Sequence, residues 1–261
     1  MVARSDWTGL VQGRSDAFID LEVVAPSAAT AGWSSPFRAL ADDGKQYFVK
    51  CLDTCPPGQG ASIAVERVVA EVGRLIEAPV CITSLIRIPE GLDMEIKPGV
   101  HLSPGLAHAS QALRNADERG RPSLSSRTRD DNRRRQAGIY ALYDWCFGAD
   151  PQWLYDLDHD HTIYSHDHGL YFPPTDQGRW SLADLEAAAD LANELPDSRG
   201  GLDSDQVTLV ATKLEAVTRS QLAAIMRTIP SSWPVSNDDL EALGWFLEHR
   251  APAVAERLRA S

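Results

Sequence analysis

The chain has 261 residues, 43% of them apolar, enough for one large globular unit or two lobes sharing an interface. Acidic residues outnumber basic ones 37 to 25, a net charge of −12, so direct binding to nucleic-acid backbones or anionic membranes is not expected. No stretch approaches the ~18 apolar residues of a membrane span, no apolar run follows a basic start, and the four cysteines lack zinc-ribbon spacing; a cytoplasmic protein with buried, reduced thiols is the expectation.

Residues 1–17 carry no firm pattern. Residues 19–24 alternate as a half-buried strand does, and residues 37–40 form a second β-type run. Asp43-Gly44 then marks a tight turn into a third strand over 46–52, with Lys50 among apolar neighbours. A Pro/Gly loop follows. From Ala61 the apolar residues recur every three and four positions, predicting a helix with Glu66 near its start and Pro79 beyond its end. Residues 80–88 and 92–96 read as further strands. Pro98, Gly99, Pro104 and Gly105 mark residues 97–110 as a hinge.

Residues 114–135 are rich in Arg, Ser and Asp, with Leu124 as their one large apolar side chain, and read as a mobile polar insertion. A helix is expected over 134–147, then a short strand at 162–164. Helices complete the chain, with Ser181 and Asp203 as N-cap candidates and Pro252 opening the last one.

The chemistry concentrates between Asp144 and Gly169. Asp150 follows a Gly-Ala pair at the end of a helix, and Asp167 follows a short strand. Read singly, these are ordinary turn residues. Their order is more informative. A strand lysine (Lys50), a helix glutamate (Glu66) and two carboxylates at the mouths of later elements match the parts of a phosphotransferase site.

Phe48-Val-Lys50, a Pro/Gly loop, the helix from Val65-Glu66 to Ile76 and the exit Ala78-Pro79-Val80 resemble the front half of HipA-like kinases. Ala-Asp150-Pro-Gln-Trp and Ser-His-Asp167-His-Gly169 resemble that family's catalytic loop and its Asp-His-Gly metal segment. The resemblance runs from about Phe37 to Phe172, with a gap over the polar insert. It implies an α+β, two-lobed protein-kinase-like fold, with a β-rich N-lobe over 1–98 and a mainly helical C-lobe over 99–261. It also implies ATP, Mg²⁺ and a Ser or Thr hydroxyl of a protein as acceptor. Lys50 would bind phosphates, Glu66 would brace it, Asp150 would be the catalytic base and Asp167 the metal ligand.

The family places an Asn five residues after the catalytic Asp; here that position is Tyr155, so Gln152 or Asp156 would have to serve as second metal ligand. The phosphate-covering loop is open between the turn holding Ser34 and Ser35 and the turn holding Gly58 and Gly60. Tyr155 also keeps open a nucleotide-binding module without phosphotransfer. The histidines at 159, 161, 166 and 168, interleaved with aspartates, suggest a third reading, a metal-dependent hydrolase.

Overall fold

The computed structural model describes residues 2–17, 19–30, 35–119, 124, 126–175 and 177–260. Up to Gln111 the chain is mostly strands: β1 (Leu21–Ala29), β2 (Phe37–Ala41), β3 (Gln46–Lys50), β4 (Thr83–Ile88), β5 (Glu95–Lys97), β6 (Val100–His101) and β7 (Gly105–Gln111). One helix of 14 residues, α1 (Ser62–Leu75), interrupts them. Five of the strands close a barrel in the order β1-β2-β3-β7-β4, sealed by a parallel β1–β4 pair.

Strand alternation sorts the barrel's two faces. Phe37, Val49, Ile86, Ala107 and Ala109 are fully buried inside it. Cross-strand partners share a face, so the pairs Arg38–Phe48, Phe48–Ser110 and Lys50–His108 all stand on the opposite side, toward α1 and the second lobe.

The expected hinge over 97–110 is corrected by this topology. Gly105–Gln111 is β7, hydrogen-bonded between β3 and β4, and the chain crosses to the second lobe only after Gln111, past the boundary expected at residue 98. The polar insert is corrected as well. β8 (Ala116–Arg119) pairs with a strand of the second lobe, and charge pairs hold the described residues around it, such as Arg114 with Asp158 at 2.9 Å and Arg129 with Asp160 at 3.2 Å. Residues 120–123 and 125 lie outside the described set.

The second lobe is built on α2 (Asn132–Trp145), a hairpin of β9 (Gln152–Asp156) and β10 (Thr162–His166), and the helices α3 (Leu182–Ala188), α4 (Ser204–Glu215), α5 (Arg219–Arg227) and α6 (Asn237–Arg259). Ser181, Asp203, Thr218 and Ser236 cap the last four by accepting a backbone N–H three residues on. Pro252, expected to open a separate helix, lies inside α6. Proline forfeits one helical hydrogen bond there, and the buried Ala251, Val254, Ala255 and Leu258 carry the packing through it. The residues before β1 also belong to this lobe. Trp7 is buried against Gly244, where a Cβ would stand 2.1 Å from its ring, and Arg14 donates to the Ile229 and Val235 carbonyls. Among the described residues, no helix is long and apolar enough to cross a membrane.

Arg250 on α6 joins these helices to the functional end of the lobe. It is 1% exposed and donates to the carbonyls of Asp144 and Trp145 at the end of α2, to those of Ala188 and Leu191 at the end of α3, and to the Asp144 carboxylate. Carbonyls at helix C-termini have no intrahelical donor, so one guanidinium satisfies two helix ends and fixes where α2 hands over to the Asp150 loop. Arg250→Ala is expected to remove about 3–5 kcal/mol of stability, the scale for unpairing a buried ion pair. Urea unfolding checks it; a loss below about 1 kcal/mol would mean that Arg257, also on Asp144, compensates.

Candidate functional site

Lys50 closes β3 on the face turned toward the second lobe. Its Nζ donates to Glu66 Oε1 on α1 and, at 2.5 Å, to Asp167 Oδ1 just beyond β10. Glu66 is a buried acid with several donors. Besides Lys50, the backbone N–H of His168 reaches its Oε2 at 2.9 Å and that of Gly169 its Oε1 at 3.0 Å. A side chain at 169 would place its Cβ 3.2 Å from Glu66 Oε1, so the glycine permits this close approach. Lys50, Glu66 and Asp167, far apart in sequence, therefore form one ionic cluster joining the barrel, α1 and the β9–β10 hairpin.

The cluster's electrostatics follow from one ammonium facing two carboxylates. Burial alone would lower the Lys50 pKa, but Glu66 and Asp167 together hold it above its ordinary value. Burial would raise Asp167, yet Lys50 outweighs it and brings the carboxyl down to about 2. Glu66 is raised, because its burial outweighs the attraction of Lys50.

Asp150 stands exposed with a left-handed φ of 43°. The turn before it is tightly built. A Cβ at Gly148 would stand 2.4 Å from the Tyr143 ring, and the Asn193 amide donates to the Gly148 carbonyl at 2.9 Å. Gln152 Nε2 donates to Asp150 Oδ2 at 3.2 Å. Gln152 pairs directly with His166, the residue before Asp167, so its amide belongs to the same end of the sheet as both aspartates.

The same strand places Tyr155. Tyr155 is fully buried in the core. Asp156 shares the Gln152 face but is engaged at the far end of β9, accepting from the Asp158 N–H at 3.0 Å and bonding the His159 ring at 2.8 Å. Because β9 starts only two residues after Asp150, counting five residues overshoots the site, and Gln152 is the polar side chain that strand register brings there.

Between the lobes lies a cleft of about 590 Å³. Lys50, Glu66, Asp150, Gln152 and Asp167 all line it. Its roof carries Phe48, with the Arg38 guanidinium 5.0 Å from the ring centroid, and its floor carries Leu154. Thr30 and Pro36, at the two ends of the β1–β2 connection, also line it. Ser34 falls outside the described residues, and Ser35, with φ 39°, belongs to that connection. Gly58 and Gly60 are placed elsewhere: they line a separate depression against Trp180 and Pro234, not the cleft that Lys50 lines.

The hydrolase reading lacks its ligand set. His159 is tied to Asp156, His168 Nε2 is 2.8 Å from Ser165 Oγ, and among the described residues no three His, Cys, Asp or Glu side chains converge to hold a metal ion. All four cysteines are free thiols, three of them buried. The roof residues Arg38, Phe48, His108 and Ser110 were not among the sequence candidates. His108 and Ser110 become visible only once β7 is paired with β3.

No protein-family model and no curated protein sequence matches the chain. Among solved structures, a proinflammatory kinase of Helicobacter pylori, CtkA, superimposes with a TM-score of 0.59 and 9% identity, over 95% of this chain and 97% of that one. Two structures of the Golgi casein kinase, one with Mn/ADP bound, align with a TM-score of 0.46 and 12% identity over 98% of this chain and 76% and 75% of theirs, too low to argue from. The chain thus has a two-lobed, α+β, protein-kinase-like fold.

The buried imidazoles give the site a pH signature. Burial holds His108 well below its ordinary pKa and His168 down at about 3. Between those values and about 6.5 the unfolded chain binds protons that the native chain does not, so their contribution to stability is complete above about pH 6.5 and is lost as pH falls. Each group adds a slope of about 1.4 kcal/mol per pH unit. Urea midpoints between pH 7.5 and 4.5 are expected to fall, with His168→Asn flattening the curve; a level profile would contradict neutral, buried imidazoles.

Proposed function

We propose that this chain is a HipA-like, ATP-dependent kinase that transfers the γ-phosphate to a Ser or Thr hydroxyl of a protein. The observation that carries the reading is the meeting of Lys50, Glu66 and Asp167 in one ionic cluster at the wall of an interlobe cleft, with Asp150 on the same cleft. The kinase-like fold supports it.

The residues present fit a hard divalent cation. Asp167 offers a carboxylate whose side chain is 37% exposed, and Gln152 offers an amide oxygen near it, an all-oxygen set that suits Mg²⁺. A bound Mg²⁺ would supply charge neutralisation on the phosphates. Lys50 would grip phosphate oxygens with its ammonium while Glu66, held by two backbone N–H groups, keeps the stem in place. Asp150 would accept the proton of the acceptor hydroxyl, oriented by the Gln152 amide. The free thiols suit a reducing compartment, and we assign the protein to the cytoplasm.

A second reading, nucleotide binding without transfer, is favoured by the short step from Asp150 to β9, which leaves one residue, Pro151, between the base Asp150 and the metal side chain Gln152. One experiment separates the two. Mg-ATP is expected to raise the melting temperature of the wild type, and mass spectrometry to detect phosphate on the protein or on an added acceptor. Asp150→Asn should keep the thermal shift and lose transfer by about 100-fold or more. Asp167→Asn should lose the magnesium-dependent part of the shift. A shift without transfer selects the binding module; no shift with ATP under either condition refutes both.

A further inference from the structure

α1 is enclosed on more than one side: ten of its 14 residues are buried, where a surface helix buries a single stripe. Its apolar side chains divide unevenly between the lobes. Ile63, Ala64, Val65, Val68, Val69 and Val72 all belong to the core that holds Tyr140 and Trp145 of α2 and Leu222 and Met226 of α5. The barrel's core is a separate cluster, and among the described residues no α1 side chain enters it. In the other direction, Leu85 on β4 is the one described residue of the five barrel strands that joins the larger core. Both ends of α1 are seated on the second lobe as well. A Cβ at Gly60 would stand 3.0 Å from the Pro234 ring, and a Cβ at Gly138 on α2 would stand 2.7 Å from the Ala78 Cα. The Ser165 N–H of β10 donates to the Pro79 carbonyl at 2.7 Å.

We propose that α1 belongs to the rigid body of the second lobe and that the barrel alone moves over the cleft as a lid, so that Glu66 and Asp167 keep their places and opening withdraws Lys50. The placement of α1 stands on packing; its consequence for the cleft rests on the nucleotide reading above. Swinging α1 outward would expose six apolar side chains that are now fully buried and would break the bonds from the His168 and Gly169 N–H groups to Glu66. Lifting the barrel gives up mostly polar ties, whose groups regain partners from water. These are Lys50 to Glu66 and Asp167, Arg74 to Thr83 Oγ1 at 2.9 Å, and Trp233 Nε1 to the Leu106 carbonyl at 3.0 Å. In protein kinases the position of the corresponding helix controls whether the lysine–glutamate pair forms. Here the glutamate is the fixed partner and the lysine the moving one.

Hydrogen exchange with mass-spectrometric readout on the full chain tests this, first without ligand at urea concentrations below the unfolding transition. After correction for intrinsic rates, α1 is expected to exchange within about threefold of α2 and α6, and β1–β3 about tenfold or more faster. ADP with magnesium chloride should then slow β1–β3 and leave α1 unchanged. An α1 that exchanges at the barrel's rate, or apart from α2, overturns the proposal. So does one common rate for barrel, α1 and α2, because no separate lid would then exist, and so does ADP protection that falls on α1 as strongly as on the barrel. If ADP alters exchange nowhere, the nucleotide reading fails, and the ligand-free comparison still decides which lobe α1 moves with.

Discussion

The ionic cluster of Lys50, Glu66 and Asp167 is the constraint around which the cleft is arranged. An ammonium this deeply buried would shed its proton without the two carboxylates, and Glu66 could not stay in the interior without its lysine and two backbone donors. Each partner comes from a different element, so the cluster fixes the barrel, α1 and the β9–β10 hairpin relative to one another. The residual negative charge of one cation against two anions then makes the cleft wall receptive to a further cation. Structure and electrostatics are satisfied by the same three side chains.

How much of this was legible in the sequence depended on the strength of local signals. α1 announces itself by apolar residues at helical spacing, and the Asp-Gly hairpin by its turn chemistry. Lys50, Glu66 and Asp167 were found through the order of motifs, which survives even where the motifs are short. β7 was missed because its inward residues are alanines, Ala107 and Ala109, so inside and outside differ little in hydrophobicity. β8 was missed because Ala-Asp-Glu-Arg is a charged edge strand, held by pairing with β9 and by ion pairs that periodicity cannot display. Two of the roof residues, His108 and Ser110, lie on β7, so they were lost with it.

Tyr155 shows a different limit. Counting residues from Asp150 assumes a fixed loop length, but the early start of β9 moves the relevant register to Gln152 and sends Tyr155 into the core. Spacing rules carry over between proteins only when the strand begins at the same distance. Pro252 failed as a boundary for an energetic reason: a buried helix face can offset one lost hydrogen bond.

The segment that begins the chain docks on the elements that end it. Trp7 donates to Glu248, the Val11 N–H to Glu241, and Arg227 to the Leu10 carbonyl. These residues therefore precede the surface they bind by more than 200 positions of chain. The barrel has all its strands by Gln111, while Trp7 is buried only against α6, at the far end of the sequence. The larger lobe is thus closed by contacts between residues more than 200 positions apart, the kind whose loop-closure cost slows folding.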